Sequence, residues 1–301
     1  MKLTIAYITA RHHPKIEWFI DSLLPQVQGD WPEIICVDLH YGTPGRHPDA
    51  KLPKEFKHVP PKPNVWNGDH RLTKDQWWSA SSNRNTALCL ARGDYIIWVD
   101  DRCVLSPTWL RAAQEAMSGN YAVCGTYEKR HGMKVEGGII TDAGTLNSED
   151  GRKAQSRGQI CRAPGQWYFG GTLGMPVEWA LTINGFEECM DSLSAEDCLC
   201  GMHLENNGYR IMHDPNLKII EDRTPGECGP DMKRSSKEKH PKDVTDKGHE
   251  AFRRFGRLKR ASHHWDLRSI RNSVLAGNPF PGVESCPKVD WFDNMEISTM
   301  V

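Results

Sequence analysis

Nowhere in the 301 residues does an apolar run approach the roughly 18 to 20 positions that a membrane-crossing helix needs. The opening "MKLTIAYITARHH" turns polar too early for a secretory signal. Ten cysteines are present without a C-x2-C pair, so the usual spacing of a zinc site is missing; several lie inside apolar segments and read as reduced core thiols. Together these absences predict a soluble, cytoplasmic protein. No repeat period is present, which excludes a solenoid. No Gly-rich phosphate loop follows the first strand-like segment, which argues against a nucleotidyltransferase. Net charge is scarce as well, with 38 Lys and Arg against 39 Asp and Glu, but it is unevenly spread. Lys233 to Arg271 holds 13 basic against 5 acidic residues, an electrostatically distinct segment.

What is there reads as strands separated by helices. "LTIAYIT" (3–9) and "EIICVD" (33–38) are strand-like, and between them Ile16, Phe19, Ile20, Leu23 and Leu24 recur at helical spacing. "WSASSNRNTALCLARG" predicts a helix ended by Gly93, and "DYIIWVDD" a strand covered on both faces. Ser106 and Pro107 suit the start of the next helix. Beyond it, "NYAVCGTY", "VEGGII" and "LKIIED" read as strands and "SAEDCLCGMHLENNGYRI" as a helix closing at Gly208. The expectation is an α/β fold, a mostly parallel sheet with helices on both faces, whose ligands sit beyond the carboxyl ends of the strands. Thr9, Arg11, Asp38, Asp100 and Asp101 all fall at such ends.

The adjacent carboxylates Asp100 and Asp101 repel one another at the end of an apolar strand and call for a compensating cation. A divalent ion shared with a diphosphate would supply it. Equally, one aspartate could cap a turn while water solvates the other.

"NRNTALCLARGDYIIWVDD" resembles the core of the family 2 glycosyltransferases of the GT-A fold, "ITARHHPKIEWFIDSLLPQ…EIICVD" their opening strand, helix and second strand, and "INGFEECMDSLSAEDCLCGMHLENNGYRIMHDP" their acceptor-side loop, acidic motif and helix. The resemblance implies a Rossmann-like GT-A catalytic domain over 1–222, with a nucleotide-binding half to about 105 and an acceptor half from about 106. It leaves 223–301 as a basic C-terminal extension. By the same resemblance, Thr9, Arg11, Asp38, Arg84 and Asp100 meet the nucleotide sugar, a UDP-sugar above all. Asp101, with Glu221 and His213, meets a Mn²⁺ or Mg²⁺ ion. Asp197 is the base that takes the acceptor's proton in an inverting transfer, with Glu196 as its neighbour or substitute; Ser194-Ala-Glu-Asp197 also fits a helix start that would fix a carboxylate there. In "GQWYFGGTLG", Trp167, Tyr168, Gly170 and Gly171 offer aromatic faces and close backbone approach to a sugar, or else a kinked strand with core aromatics. Two departures stand out: Arg102 replaces a third aspartate, and Glu221 occupies the register of a metal-binding histidine.

"KGHEAFRRFGRLKRASHHW" reads as a basic amphipathic helix, with Phe252, Phe255 and Leu258 on one side and Arg253, Arg254, Arg257, Lys259 and Arg260 on the other. It could pack on the catalytic domain, rest on a peripheral anionic membrane, or track a phosphate backbone. The last would make DNA the partner, with a hydroxymethylated base as acceptor. A cell-surface glycan or other saccharide is the competing acceptor, and a sugar-nucleotide-binding protein without catalysis the competing class.

Overall fold

In the computed structural model the described residues are 1–43, 53, 56–64, 80–191, 195–225, 250, 252–262, 265–282 and 285. Strand β1 (Leu3–Thr9) is followed by helix α1 (Ile16–Leu23), β2 (Glu33–Asp38), β3 (Phe56–Val59), α2 (Ala80–Leu90), β4 (Tyr95–Asp100), β5 (Cys103–Leu105) and α3 (Trp109–Ser118). The second half runs β6 (Ala122–His131), β7 (Lys134–Glu136), β8 (Ile139–Asp142), β9 (Thr145–Glu149), α4 (Arg152–Gln155), β10 (Cys161–Arg162), β11 (Thr172–Pro176), α5 (Val177–Thr182), α6 (Glu196–Asn206), β12 (Ile211–Asp222) and α7 (Leu267–Leu275).

The main sheet has the order β10-β12-β6-β11-β4-β1-β2-β3, with β5 added to β12 and β9 to β6. Strands β3, β2, β1 and β4 are parallel to one another, while β11 runs antiparallel between β4 and β6. Each central strand alternates its side chains between two cores. Ala6, Ile8, Ile96 and Trp98 face one core; Ile5, Tyr7, Ile97 and Val99 face the other, against α1 and α3. Burial on both faces explains why β1 and β4 are apolar almost throughout, each fully buried aliphatic contributing about 1.5–3 kcal/mol.

Chain order reverses at β1, which pairs with β2 on one side and β4 on the other. The carboxyl ends of β1 and β4 therefore diverge into a crevice, with Ile8 level with Asp100.

Three local expectations change. "VEGGII" is a hairpin of β7 and β8, because Gly137 and Gly138 take positive φ of 53° and 74° and turn the chain back. Helix α3 starts at Trp109 with Thr108 as a cap whose hydroxyl donates to the Asn216 carbonyl at 3.2 Å and not to the helix. The Ser106 hydroxyl also donates to the Asn216 carbonyl at 3.0 Å, tying the end of β5 to the irregular stretch of β12 between His213 and Lys218. Among the described residues of the basic segment, 250 and 252–255 are helical while 256–260 are not, and Leu258 is exposed. Its aromatic side does pack: Phe255, Trp265, Leu267 and Ile270 are buried in the core that holds Ile96 and Trp98. Asn206 on α6 donates to the carbonyls of Gly256 and Leu258, and Asn184 to that of Trp265. Among the described residues, the part beyond 222 thus shares the hydrophobic core of the sheet. None of their helices is long and apolar enough to cross a membrane.

Candidate active site

Asp100 ends β4 and Asp101 lies in the bend that follows, and the two carboxylates have different surroundings. Asp101 is fully buried: the Thr9 hydroxyl donates to one of its oxygens at 2.6 Å and Arg11 Nε to the other at 2.5 Å. Arg11 also reaches Glu221 at 3.2 Å, and Arg223 Nε holds Glu221 at 2.5 Å. Thr9, Arg11, Asp101 and Glu221 therefore form a closed ionic floor beneath the crevice. Asp38 is equally sealed, accepting from the His40 backbone at 2.9 Å and lying 3.0 Å from the His58 ring.

Asp100, by contrast, keeps a fifth of its side chain exposed. Arg84, aimed by the Trp98 indole that donates to its carbonyl at 3.0 Å, lies 3.5 Å from Asp100 and donates to Glu196 at 2.7 Å. Burial alone would weaken the Arg84 guanidinium as a base; Glu196, Asp100 and Asp197 overturn that and raise its pKa. The Gly170–Gly171 dipeptide joins the remaining parts. The Gly170 N–H donates to Asp197 at 3.4 Å and the Gly171 carbonyl accepts from the Asp100 N–H at 2.9 Å. Neither glycine has room for a side chain: Gly170 has φ 106°, and a Cβ at Gly171 would come within 2.1 Å of Ile219. Asp197 lies in the first turn of α6 and also accepts from the Cys198 N–H at 2.8 Å. Burial, and then the adjacent Glu196 charge, push its pKa up to about 7, with Arg84 opposing. The N-cap of α6 is Ala195, in the left-handed region without a side-chain bond; Ser194 lies outside the described residues.

The profile of glycosyl transferase family 2 matches residues 70–170, a span that contains α2, the Asp100–Asp101 strand end and the start of the glycine pair. That third of the chain is similar to the family, and the fold is of the GT-A type. No curated protein matches it at a significant level. Among solved structures, the chain resembles S. aureus TarS 1-349 in complex with UDP-GlcNAc (16% identity, TM-score 0.50, 85% of this chain and 66% of that one). It also resembles GalNAc-T7 with UDP, GalNAc and Mn²⁺ (12% identity, TM-score 0.53, 96% of this chain and 59% of that one). It spans less than two thirds of either neighbour, and at these identities the likeness is one of fold.

The three metal ligands expected from the sequence are not brought together. Both oxygens of Asp101 are taken by Thr9 and Arg11, and Glu221 is held between Arg11 and Arg223. Glu221's pKa is raised by burial, with Arg223 and Arg11 opposing. His213 sits across the strand bulge between His213 and Lys218, level with Cys161 and Cys124, its ring edge-on to Trp167. Burial and then Arg152 lower its pKa. Among the described residues no three metal-binding side chains gather. Tyr168 is also misassigned as a sugar contact: it is fully buried and its hydroxyl donates to the Gly174 carbonyl at 3.1 Å. Trp167 is half-buried in the loop ahead of the glycines.

Arg152 is the functional side chain that sequence reasoning missed. It pairs with Asp150 at 2.6 Å and stacks on Phe169 with its guanidinium carbon 3.8 Å from the ring centroid. It donates to the carbonyls of Trp167, Phe169 and Gly125, fixing the loop that presents Gly170 to Asp197. Its partners are mostly carbonyls, which carry no sequence signal. A separate cavity of about 640 Å³ opens at the opposite, amino-terminal edge of the parallel strands, lined among others by Trp31, Glu33, Lys57 and Arg92. It contains none of these groups, and Lys57 there is already paired with Glu33 at 2.5 Å.

Proposed function

We infer that this chain transfers a sugar from a nucleoside diphosphate donor, a UDP-sugar, to a hydroxyl acceptor with inversion at the anomeric carbon. The observation that carries the reading is Asp197: a carboxylate with its pKa moved to about 7, fixed by Gly170 and Cys198 and set beside the Arg84–Asp100–Glu196 triad. A base whose pKa lies near the working pH takes up a proton most effectively. In the step, the acceptor oxygen forms its bond to the anomeric carbon as its proton passes to Asp197. The bond from that carbon to the phosphate oxygen breaks, and its electron pair leaves with the nucleoside diphosphate. Asp100, the half-open carboxylate at the switch point, and Arg84 are the groups that orient the donor. No step runs through a metal ion.

For the acceptor, the exposed row Arg253, Arg254, Arg257, Lys259 and Arg260 favours an anionic polymer, and DNA bearing a hydroxymethylated base is the acceptor inferred. None of the five forms an ion pair with a described residue. The test is to incubate the protein with a panel of nucleotide sugars against hydroxymethylated DNA, unmodified DNA and oligosaccharides, and to weigh the products. A glycosylated hydroxymethyl base is expected. A glycosylated oligosaccharide would keep the transferase and change the acceptor, whereas nucleotide binding without any product or donor hydrolysis would make the chain a sugar-nucleotide-binding protein.

A further inference from the structure

We propose that the ammonium of Lys129, with the Arg223 guanidinium beside it, holds the donor's diphosphate in the role a divalent ion plays in a metal-dependent transferase, so that this chain binds and uses its donor without metal. The inference rests on the transferase reading above and assigns the cation that reading needs.

The position that could complete an acidic metal motif after Asp100 and Asp101 is Arg102. It is fully buried, at φ 53°, with its guanidinium bonded to the Asp222 carboxylate and to the His13 carbonyl at 2.9 Å. An internal ion pair thus joins the end of β4 to the end of β12. Glu221, the neighbouring carboxylate, is neutralised by Arg11 and Arg223. Of the doubled aspartate, only Asp100 reaches solvent, and one carboxylate is a poor anchor for an octahedral ion.

A diphosphate arriving beside Asp100, Glu196 and Asp197 nevertheless needs positive charge. Arg84 is already shared between Asp100 and Glu196. Lys129 is a half-buried cation that forms no ion pair with any described residue, an arrangement with a standing cost unless an anion visits. Its location fits that visitor. Lys129 shares a face of β6 with Tyr127, its Nζ 4.6 Å from the Tyr127 ring centroid, and the parallel register sets it level with Glu221. The Tyr127 ring in turn lies 3.1 Å from where a Cβ on Gly170 would stand, and Gly170 is the residue that donates to Asp197. Burial, and then the nearby Arg223, lower the Lys129 pKa, while Glu221 and Asp100 oppose. The ammonium therefore sits on the wall of the site that faces the leaving group. As the bond from the anomeric carbon to oxygen breaks, the negative charge gathering on the terminal phosphate oxygen meets Lys129.

The test is calorimetric titration of the full chain with UDP, UMP and uridine, in EDTA and then in excess Mn²⁺, together with Lys129→Gln and Lys129→Arg. UDP affinity of the unaltered protein is expected to be the same in EDTA and in Mn²⁺. Lys129→Gln should weaken UDP about tenfold or more while leaving uridine binding unchanged, which also certifies that the variant is folded. Lys129→Arg should restore most of the loss. UDP binding or transfer that vanishes in EDTA and returns with Mn²⁺ would overturn the inference and leave the transferase reading standing, as would a Lys129→Gln protein that binds UDP normally. Failure of the unaltered protein to bind UDP under either condition would overturn both.

Discussion

Two groups of charged residues lie one strand-turn apart and behave in opposite ways. Thr9, Arg11, Asp101 and Glu221 form the floor, closed to water, with each carboxylate oxygen of Asp101 accepting from a donor. Asp100, Arg84, Glu196 and Asp197 form the rim, partly open, with carboxylates outnumbering the cation that joins them. Both set one arginine among carboxylates. What differs is access to water and the number of fixed partners, and that difference makes one group a structural clamp and the other a chemical site.

Substitution should separate them. The largest effect is expected on the rim: Asp197→Asn should lower transfer by about 10²–10⁴-fold with UDP affinity and thermal midpoint nearly unchanged, measured by product formation, calorimetry and melting. On the floor, Arg11→Ala or Asp101→Ala should cost about 3–5 kcal/mol in denaturant unfolding, because each leaves a buried charge without its partner. Asp100→Asn, one residue away but partly exposed, should cost about 1 kcal/mol or less in the same assay. If Asp100→Asn and Asp101→Ala destabilise equally, the distinction between floor and rim fails.

Arg152→Lys sharpens the same comparison from behind the loop. A lysine keeps the charge but cannot serve Asp150 and three carbonyls together. A loosened Gly170 should lower kcat by roughly 10²-fold with little change in UDP affinity; an unchanged kcat would show that the loop holds itself.

The pH dependence gives a smaller, graded effect. Asp197 must be unprotonated to accept the acceptor's proton, and its pKa is raised to about 7. Transfer should therefore rise with pH through about 7, and the rise should be absent from the residual activity of Asp197→Asn. The smallest effect on the fold belongs to the exposed basic row. Replacing Arg253, Arg254 and Arg257 by Gln should change stability by about 0.5 kcal/mol or less, while DNA affinity falls and its salt dependence becomes shallower.

Much of the fold was legible in the residues. The apolar runs of 3–9, 33–38 and 95–100 read as strands, the last as one covered on both faces, and the helical patterns between them pointed to parallel pairing. The convergence of strand ends followed from that topology. The errors have separate causes. Reading Asp101 as a metal ligand left out Thr9 and Arg11, which lie far away in sequence and take both of its oxygens. Tyr168 looked like a ligand contact because glycines flank its loop, yet those glycines serve close backbone and side-chain approaches, and the ring fills the core. Charge density masked the apolar residues of the C-terminal part, where Phe255, Trp265, Leu267 and Ile270 complete the hydrophobic core of the sheet. Arg152 depends on contacts between segments far apart in the chain, which no local pattern reveals.

The most direct measurement is a crystal structure of the protein with UDP bound. The account predicts the nucleotide at the β1–β4 switch point, its diphosphate lying between Asp100, Lys129 and Asp197. UDP seated instead in the cavity by Trp31 and Arg92, with the rim untouched, would contradict it.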